Sequence, residues 1–462
     1  MKSPIRIFSI LLLFCANLAA SPYIELGPML GHVGEDTASI WFKATGTATP
    51  SIVIGQRDDL SDGVSHPSAV LTPSNEFMGS ITITDLAAES RYVYAVALDG
   101  RVITPRPFPT FTTASRLGSA GHLRIAFSSC LGGKGVDAAA AWAQMDASSD
   151  ADLVLLLGDN HYADTTARDG QTSAYFSNRS SPGFRAIGSH LPIYGIWDDH
   201  DYGPNDSDGS ADGKERSLET FKQFWPNPAY GEVENPGIYY KFTRGEVEFF
   251  MLDVRYHRSP DKMIDDGTKT MLGAGQLAWL KDNLKASKAK IKIIASGSEW
   301  QRHSHADSWS SYPRERDAFF DFLKEGEITG ILLISGDRHF TGGYQIGGEF
   351  IEVTAGPLGA RNFPTKNLPE MFFNKSEGKL YAVFDIDTTG GTPKVSVEAH
   401  RPGDGIVHNQ ELPWAAILGQ QQLETLPIET TPEKAPYQIS FDPENGISKP
   451  PSETPPNAAK EE

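Results

Sequence analysis

The chain has 462 residues, more than a single domain usually holds, so two or three domains are expected. Its formal net charge of -18, from 41 basic and 59 acidic side chains, argues against a general binder of nucleic acid or of anionic membranes. An anionic ligand would need local positive charge, such as a metal ion, to offset this field.

The first residues have the pattern of a secretory signal peptide, which we assign to residues 1–20. Lys2 and Arg6 carry positive charge, residues 7–18 form a short apolar segment, and small residues follow it. That segment is too short to span a bilayer, and no later stretch is apolar enough for a transmembrane helix. The sequence therefore predicts a periplasmic or extracellular protein. Of the two cysteines, Cys15 lies in the signal peptide, so the exported chain keeps only Cys130 and has no internal disulfide.

Residues 23–113 predict an all-β domain. Short alternating stretches at 37–42, 51–54, 79–83 and 91–96 are separated by Gly, Pro, Asn and Asp, and no helical pattern interrupts them. This pattern is typical of an immunoglobulin-like or fibronectin type III-like sandwich.

Residues 121–421 predict a second domain in which strands and helices alternate. Strands are expected at 123–127, 152–157, 191–196, 291–295, 331–334 and 350–354, with a hairpin at 239–243 and 247–252 and later strands at 379–386 and 394–399. Helices are expected at 136–145, 217–224, 274–286 and 313–324, and a polar loop follows the strand that ends at 157. This order predicts a mixed sheet or two stacked sheets between helices. Residues 442–462, rich in Pro and Glu, predict a disordered tail.

Five predicted strands are followed by side chains with the chemistry of a metal site. They are Cys130, Asp159 with Tyr162, Asp199 with His200, Arg255, and Asp337 with His339. If the strands are parallel neighbours, their carboxyl ends meet at one edge of a sheet. A thiolate and a phenolate favour trivalent iron, whereas carboxylates suit calcium or magnesium, so we predict a mixed pair of metal ions.

Each of these residues also has a purely structural interpretation. Cys130 alone is typical of a small core residue, Tyr162 of a half-buried aromatic, and Asp198 with Asp199 of helix-capping carboxylates. Residues 208–219 partly match a calcium-binding EF-hand loop, but no helix is predicted before them. The occurrence of all the candidates at strand ends favours the metal site.

At these residues the sequence resembles the binuclear metallophosphoesterases and, more closely, the alkaline phosphatase D (PhoD-like) family. The general pattern is Asp-x-His, Gly-Asp, Gly-Asn-His-Asp/Glu and Gly-His-x-His. The corresponding residues here are Ser128-Ser129-Cys130, Gly158-Asp159, Asp198-Asp199-His200-Asp201 and Gly336-Asp337-Arg338-His339. A cysteine and a tyrosine in place of histidines match the PhoD-like variant of the pattern.

The resemblance implies a fold, two metals and a role for each site residue. The fold would be an α/β metallophosphoesterase-type sandwich of stacked mixed β-sheets flanked by helices, preceded by the all-β domain. The cofactors would be Fe(3+) and Ca(2+), with Asp159 bridging them. Cys130, Tyr162 and His339 would face the iron, and Asp199 and Asp337 the calcium. Asn205 would add an oxygen, Arg255 would hold the phosphate, and His200 would stay off the metals and stabilise the leaving oxygen.

The expected activity is hydrolysis of small-molecule phosphate esters by a metal-bound hydroxide. A phosphodiesterase or phospholipase D-like activity on the same site is an alternative, and so is a catalytically inactive secreted binding protein. Trp300 and His303, with His305 and Trp309, are candidates to line a substrate pocket or to form a mobile aromatic rim. The oligomeric state stays open.

Overall fold

The structure is a computed structural model that describes residues 21–132 and 138–428. The predicted signal peptide and the tail at 442–462 lie outside these residues, as does the start of the helix predicted at 136–145. Across the described ranges, every helix is too short or too polar to cross a membrane.

The N-terminal β region consists of two antiparallel sheets. Its strands are β1 (Ile24–Val33), β2 (Ala38–Ala44), β3 (Pro50–Gly55), β4 (Val64–Pro67), β5 (Met78–Ile83), β6 (Arg91–Leu98), β7 (Arg101–Val102) and β8 (Thr110–Thr112). One sheet has the order β1-β2-β5 and the other β4-β3-β6-β7, with β8 paired to β6. A hydrophobic core that includes Ile40, Phe42 and Tyr94 fills the space between them. The two sheets fit the predicted all-β region, while its immunoglobulin-like or fibronectin-like type stays a prediction.

The second region contains two larger mixed sheets. Its strands are β9 (His122–Ser128), β10 (Leu153–Leu157), β11 (Ile193–Ile196), β12 (Tyr240–Arg244), β13 (Val247–Met251), β14 (Ile291–Ser296), β15 (Ile331–Ser335), β16 (Thr341–Ile346), β17 (Phe350–Thr354), β18 (Met371–Lys375), β19 (Tyr381–Asp387), β20 (Lys394–Arg401) and β21 (Gly405–Leu412). The six-stranded sheet has the order β11-β10-β9-β19-β20-β21, and the seven-stranded sheet β12-β13-β14-β15-β17-β16-β18. Of the two arrangements predicted, the structure has the two sheets.

Helices surround the sheets and connect their strands. They are α1 (Ala139–Ser148), α2 (Arg168–Arg179), α3 (Pro182–Gly188), α4 (Asp199–Tyr202), α5 (Lys214–Phe224), α6 (Gly273–Ala286), α7 (Pro313–Glu325) and α8 (Trp414–Ile417). The polar loop predicted after residue 157 is wrong, because α2 and α3 lie there. The buried face of α2 includes Gln171, Thr172 and Arg179, so it lacks the apolar periodicity that indicates a helix.

Parallel pairing brings the strand ends together. β9, β10 and β11 are parallel neighbours in one sheet, and β13, β14 and β15 are parallel neighbours in the other. Every residue of β10, β14 and β15 is buried, as expected of strands covered on both faces. The carboxyl ends of three strands from each sheet therefore supply the candidate site, where the sequence predicted a single sheet edge.

The N-terminal β region packs directly against the second region. Leu26, Met29 and Trp41 belong to the hydrophobic core that fills the second region. The Trp41 indole N–H donates to the carbonyl of Gln223 at 2.9 Å, and the Arg179 guanidinium lies 4.7 Å from the Trp41 ring centre. The N-terminal β region therefore has a core of its own and also contributes side chains to the main core of the second region.

Candidate metal centre

The turns that follow the strands hold four non-glycine residues in the left-handed conformation. Cys130, Asp159, Asp337 and His339 have φ values of +57°, +54°, +68° and +54°. This conformation is uncommon for residues with a side chain and costs of order 1–3 kcal/mol, so such residues cluster at functional sites. Four of the predicted ligand residues, in turns that follow the carboxyl ends of β9, β10 and β15, therefore have this strained backbone conformation.

Cys130, Asp159, Tyr162 and His339 meet in one group. The Cys130 Sγ lies 3.5 Å from Asp159 Oδ2, and the Tyr162 hydroxyl lies 3.1 Å from Asp159 Oδ2 and 2.9 Å from His339 Nε2. Donor atoms of Cys130, Asp159 and His339 lie within 4.8 Å of one another. The carbonyl of Arg361 binds His339 Nδ1, which fixes the ring and leaves Nε2 to face the group.

A second, more acidic group lies beside the first. Donor atoms of Asp198, Asp199 and Asp337 lie within 4.8 Å of one another, as do donor atoms of Asp159, Asp199 and His200. Asp159 therefore belongs to both groups, which suits the bridging position predicted for it. The carboxylate of Asp337 is held by His305 Nε2 at 2.6 Å.

Several carboxylate oxygens in this cluster are buried without a hydrogen-bond partner, although Arg255 Nη2 lies 3.8 Å from Asp199 Oδ1. Among the described residues, Asp159 Oδ1, Asp198 Oδ2 and Asp199 Oδ1 have no hydrogen-bond partner. Burial raises the pKa of Asp159, and the charges of Asp199 and Asp198 raise it further. Burial also raises the pKa of the Cys130 thiol, followed by the charge of Asp159. Bound cations would stabilise the buried negative charges and would supply the carboxylate oxygens with partners. The donor set therefore fits metal ions.

Asp201, which the sequence analysis did not select, connects two of the turns. Its carboxylate accepts hydrogen bonds from the backbone N–H groups of Asp198 at 2.7 Å, Asp159 at 3.2 Å and Asn160 at 3.2 Å. The turn after β10 is thereby fixed to the turn after β11. Its presence in the run 198–201 was the only signal available.

Two glycines leave room for Asp198. A Cβ atom on Gly158, whose φ is +98°, would lie 2.6 Å from the Asp198 Cβ, and one on Gly297 would lie 2.7 Å from Asp198 Oδ1. Any side chain at either position would displace Asp198. The tight packing explains why glycines flank this aspartate.

Arg255 is placed differently from the phosphate-binding role predicted for it. Its side chain is fully buried, and Nε donates to Asp198 Oδ1 at 2.5 Å while Nη1 and Nη2 bind the two oxygens of Asp307 at 2.9 and 2.7 Å. Burial alone would raise the pKa of Asp307, but Arg255 and Arg258 hold it below its usual value. The geometry supports a role in fixing Asp198, and the contact with phosphate stays a prediction.

His200 lies at the edge of the cluster and contacts Asp164. Its Nδ1 is 2.5 Å from Asp164 Oδ1, and its ring stacks on Tyr162 with centres 4.0 Å apart. One of its nitrogens lies near donor atoms of Asp159 and Asp199. The prediction that His200 stays off the metals therefore stays a prediction.

The pocket-lining role predicted for Trp300 is wrong. Trp300 and Trp309 are fully buried and stack on each other at 4.1 Å inside a hydrophobic core, so neither forms a pocket wall or a mobile rim. His303 is exposed, and Asn205 is exposed in the turn after α4, so their roles stay predictions. Helix α5 begins at Lys214, inside the segment 208–219, which excludes an EF-hand loop there.

Phe363 is a further residue that the sequence analysis missed. Its side chain is 55% exposed, and its ring stacks on His339 with centres 4.7 Å apart. The backbone N–H of Phe363 donates to the His339 carbonyl at 3.2 Å. An exposed aromatic ring therefore stands beside the metal ligands, in a loop whose sequence gave no periodic signal.

Comparison with known proteins places this geometry in a family. A sequence model described as PhoD-like phosphatase matches residues 125–389, more than half of the chain, and one described as a domain of unknown function (DUF7800) matches residues 21–116. Alkaline phosphatase D of Bacillus subtilis (strain 168) is 28% identical over 195 residues, 35% of this chain and 33% of the relative. The chain thus aligns with about a third of that curated relative's length.

Solved structures share the fold at low sequence identity. A structure of PhoD aligns with a TM-score of 0.68 at 15% identity, covering 87% of this chain and 92% of that one. A purple acid phosphatase isolated from yellow lupin (Lupinus luteus) seeds aligns with a TM-score of 0.65 at 14% identity, covering 87% and 77%. The second region thus has a metallophosphoesterase-like fold.

Proposed function

This chain belongs to the PhoD-like phosphatase family, and on that premise we propose that it is a metal-dependent hydrolase of small-molecule phosphate esters. The observation that carries the proposal is the set of buried carboxylate oxygens on Asp159, Asp198 and Asp199 that have no hydrogen-bond partner among the described residues. These oxygens lie beside a thiol, a phenol and an imidazole in a fold shared with phosphatases. A protein that only binds a partner has no need of such a buried cluster of anionic donors.

We assign the donors to two ions. Cys130, Tyr162 and His339 would hold an iron(III) ion, because thiolate and phenolate stabilise a trivalent metal, and Asp199 and Asp337 would hold a calcium ion. Asp159 would bridge the two. Once bound, the ions would supply a hydroxide at neutral pH and polarise the phosphoryl oxygens.

His200 is the proposed proton donor to the leaving oxygen. Nδ1 contacts the Asp164 carboxylate, so a protonated imidazolium would donate to Asp164 from Nδ1 and would pass its second proton from Nε2 to the leaving oxygen. The stacking of His200 on Tyr162 holds the imidazole plane beside the cluster. Asp164 would thus orient the ring and leave Nε2 as the atom that donates.

Arg255 acts in this proposal as a positioning residue. Its guanidinium binds Asp198 and Asp307, so a direct contact with a phosphate would require one of these ion pairs to open. With both pairs closed, Arg255 fixes the Asp198 carboxylate and offsets part of the negative charge behind the cluster.

The remaining proposals concern organisation and location. We propose an immunoglobulin-like or fibronectin type III-like domain at 23–113 and a catalytic domain at 121–421. We also propose that a signal peptide at residues 1–20 directs export to the periplasm or the extracellular space. The choice between monoesters and diesters is left to the experiment below.

The test measures metal content by elemental analysis together with initial rates on p-nitrophenyl phosphate and on its bis-ester. The native chain should contain iron and calcium, lose turnover on chelation and recover it on reloading. Turnover that survives complete removal of the metals would contradict the proposal. The ratio of the two rates distinguishes a monoesterase from a diesterase.

Substitutions at the two ends of β10 provide a matched pair for the same measurement. Asp159→Asn should lower bound metal and reduce turnover by on the order of 100-fold or more, because a bridging carboxylate becomes a weaker neutral ligand. Asp152→Asn, just before the amino end of the same strand, should leave both the metal content and the turnover unchanged. Cys130→Ala should lose iron while the chain stays folded, and full iron content in that variant would exclude the thiol as a ligand.

A further inference from the structure

A cavity lies between the N-terminal β region and the second region, away from the metal centre. It has a volume of about 470 Å³. One wall comes from Thr110, Thr112 and Ser115, and the other from residues at the starts of β9, β10 and β11, among them Leu123 and Asp152. Because β9, β10 and β11 are parallel and the metal ligands follow their carboxyl ends, this cavity lies at the opposite end of the sheet.

Arg244 lines this cavity, and two of its guanidinium nitrogens have no hydrogen-bond partner among the described residues. The residue is only 7% exposed, and across residues 21–132 and 138–428 neither its Nε nor its Nη2 has a hydrogen-bond acceptor. Burying a guanidinium whose N–H groups lack acceptors is unfavourable, so proteins pair such groups with an anion. The described residues place the charge of Asp152 near Arg244 in the same cavity, but they give its Nε and Nη2 no hydrogen-bond acceptor.

The other charged groups around the cavity are mostly paired. Glu246 binds Lys290 at 2.8 Å, His190 binds Asp146 at 2.9 Å, His122 binds Asp385 at 2.6 Å, and Arg91 binds Asp58 at 2.7 Å. Asp152 accepts a hydrogen bond from the Arg124 backbone N–H at 2.8 Å, and Glu89 is exposed at the rim. These two acidic groups would repel a polyanion, so they favour a ligand with a single negative charge.

The walls around Arg244 are fixed to each other. The backbone N–H of Gly118 donates to the Gly245 carbonyl at 2.9 Å, and that of Gly245 donates to the Ser115 carbonyl at 3.4 Å. A Cβ on Gly245, whose φ is +57°, would lie 2.6 Å from the carbonyl oxygen of Ser119. The β12–β13 turn is therefore hydrogen-bonded to the segment that joins the two regions. These contacts hold the walls of the cavity in fixed positions.

We propose that this cavity binds a small organic monoanion whose carboxylate pairs with Arg244. A guanidinium presents two parallel N–H groups to a carboxylate, and the hydroxyls of Thr110, Thr112 and Ser115 are available to a polar ligand body. The volume is in the range of small-molecule sites in proteins. A ligand there contacts both regions and tightens their association, independently of the phosphate-ester chemistry at the other end of the sheet.

The test is thermal unfolding of the full-length, metal-loaded protein and of two variants. Arg244→Met removes the buried charge, and Arg116→Met removes an exposed arginine from the same joining segment as a matched control. In chloride buffer without carboxylates, Arg244→Met should unfold at the wild-type temperature or above it, because no hydrogen bond to Nε or Nη2 is lost and the cost of burying the guanidinium is removed. Gluconate or benzoate at saturation and constant ionic strength should raise the Tm of the wild type and of Arg116→Met by at least about 2 °C. Neither compound should change the Tm of Arg244→Met.

Hydrogen exchange locates the effect and separates it from carboxylate binding at the metals. Gluconate or benzoate should slow exchange in peptides from 110–122 and 240–247 and leave peptides from 196–206 unchanged. The proposal is overturned if Arg244→Met is clearly less stable than the wild type in chloride buffer. It is also overturned if neither compound raises the Tm of the wild type, or if the compounds raise the Tm of Arg244→Met as much as that of the wild type. Slowed hydrogen exchange confined to the turns of the metal centre would overturn it too.

Discussion

Asp198 is the residue on which the most constraints meet. Gly158 and Gly297 press against it, Arg255 binds one of its oxygens, and the other oxygen is buried without a partner among the described residues. The sequence analysis chose Asp199 from the run 198–201 and left Asp198 and Asp201 aside. Which carboxylate in a run of acidic residues faces a metal depends on the dihedral angles of the turn, and the residue types alone do not give these.

His32 makes stability depend on pH at the contact between the two regions. Burial, followed by the charge of Arg244, lowers its pKa from 6.5 to about 4. The folded protein therefore resists protonation, so stability is full above pH 6.5 and falls as the pH drops toward 4, by about 3 kcal/mol in all. His32→Asn, which keeps an acceptor for the Tyr194 hydroxyl, should unfold at a lower urea concentration than the wild type at neutral pH but lose less stability on acidification.

The control for that measurement is His66→Asn, on the edge strand β4. Its loss of stability between pH 6.5 and 4 should match that of the wild type. An equal pH dependence in His32→Asn and the wild type would show that His32 is not the group responsible.

Phe363 should contribute to recognition of the leaving group, if the proposed phosphatase activity holds. An exposed ring stacked on His339 offers an apolar surface next to the reacting phosphate. Phe363→Ala should raise the KM for p-nitrophenyl phosphate by roughly 10-fold, the equivalent of about 1.4 kcal/mol, and should change the KM for glycerol phosphate little. Phe363→Tyr should behave as the wild type. A uniform change for both substrates would exclude a specific contact with the aromatic leaving group.

At the scale of elements, the buried parallel strands were the most predictable part of the fold. β10, β14 and β15 are continuous apolar runs, and the structure has strands at those positions. Their polar ends then indicated the donors, because strand direction decides where the following residues lie. Periodicity was thus sufficient for strands that are covered on both faces.

Elements whose buried face is polar were not predictable in the same way. α2 buries Gln171, Thr172, Tyr175 and Arg179, and its contacts come from neighbours distant in the sequence, such as Trp41 and Trp225 around Arg179. β16 contains two consecutive glycines and yet pairs with both β17 and β18. In both cases tertiary packing outweighs local propensity, so no local pattern identifies the element.

The turn after β10 should tolerate substitution poorly. Gly158→Ala adds a Cβ to a residue at φ +98° and brings that atom to 2.6 Å from the Cβ of Asp198. Gly118→Ala is a matched control, since its φ is +82° and a Cβ there has nothing within 4 Å. The control should cost about 1 kcal/mol from backbone strain alone. Gly158→Ala should cost more and should also lower the metal content, and equal effects in both variants would show that the contact with Asp198 is unimportant.

At the scale of the molecule, the N-terminal β region and the second region should unfold together. Leu26, Met29 and Trp41 belong to the core that fills the second region, so separating the regions would expose apolar surface on both. Calorimetry of the full chain should therefore show one transition. Trp41→Ala should reduce the free energy of unfolding by on the order of 3–5 kcal/mol through lost packing. The single transition should therefore move to a lower temperature without splitting into two. Two resolved transitions in the wild type would contradict a shared core.

Cys130 has a consequence for the handling of the protein. It is buried beside Asp159, and from residue 21 onward the chain has no second cysteine. An oxidised sulfenic acid at Cys130 could not be captured as an intramolecular disulfide and would advance to sulfinic acid, which ordinary reductants do not reverse. Peroxide damage to the preparation would therefore be permanent. A mass increase of two oxygen atoms on the peptide containing Cys130 would detect this irreversible oxidation.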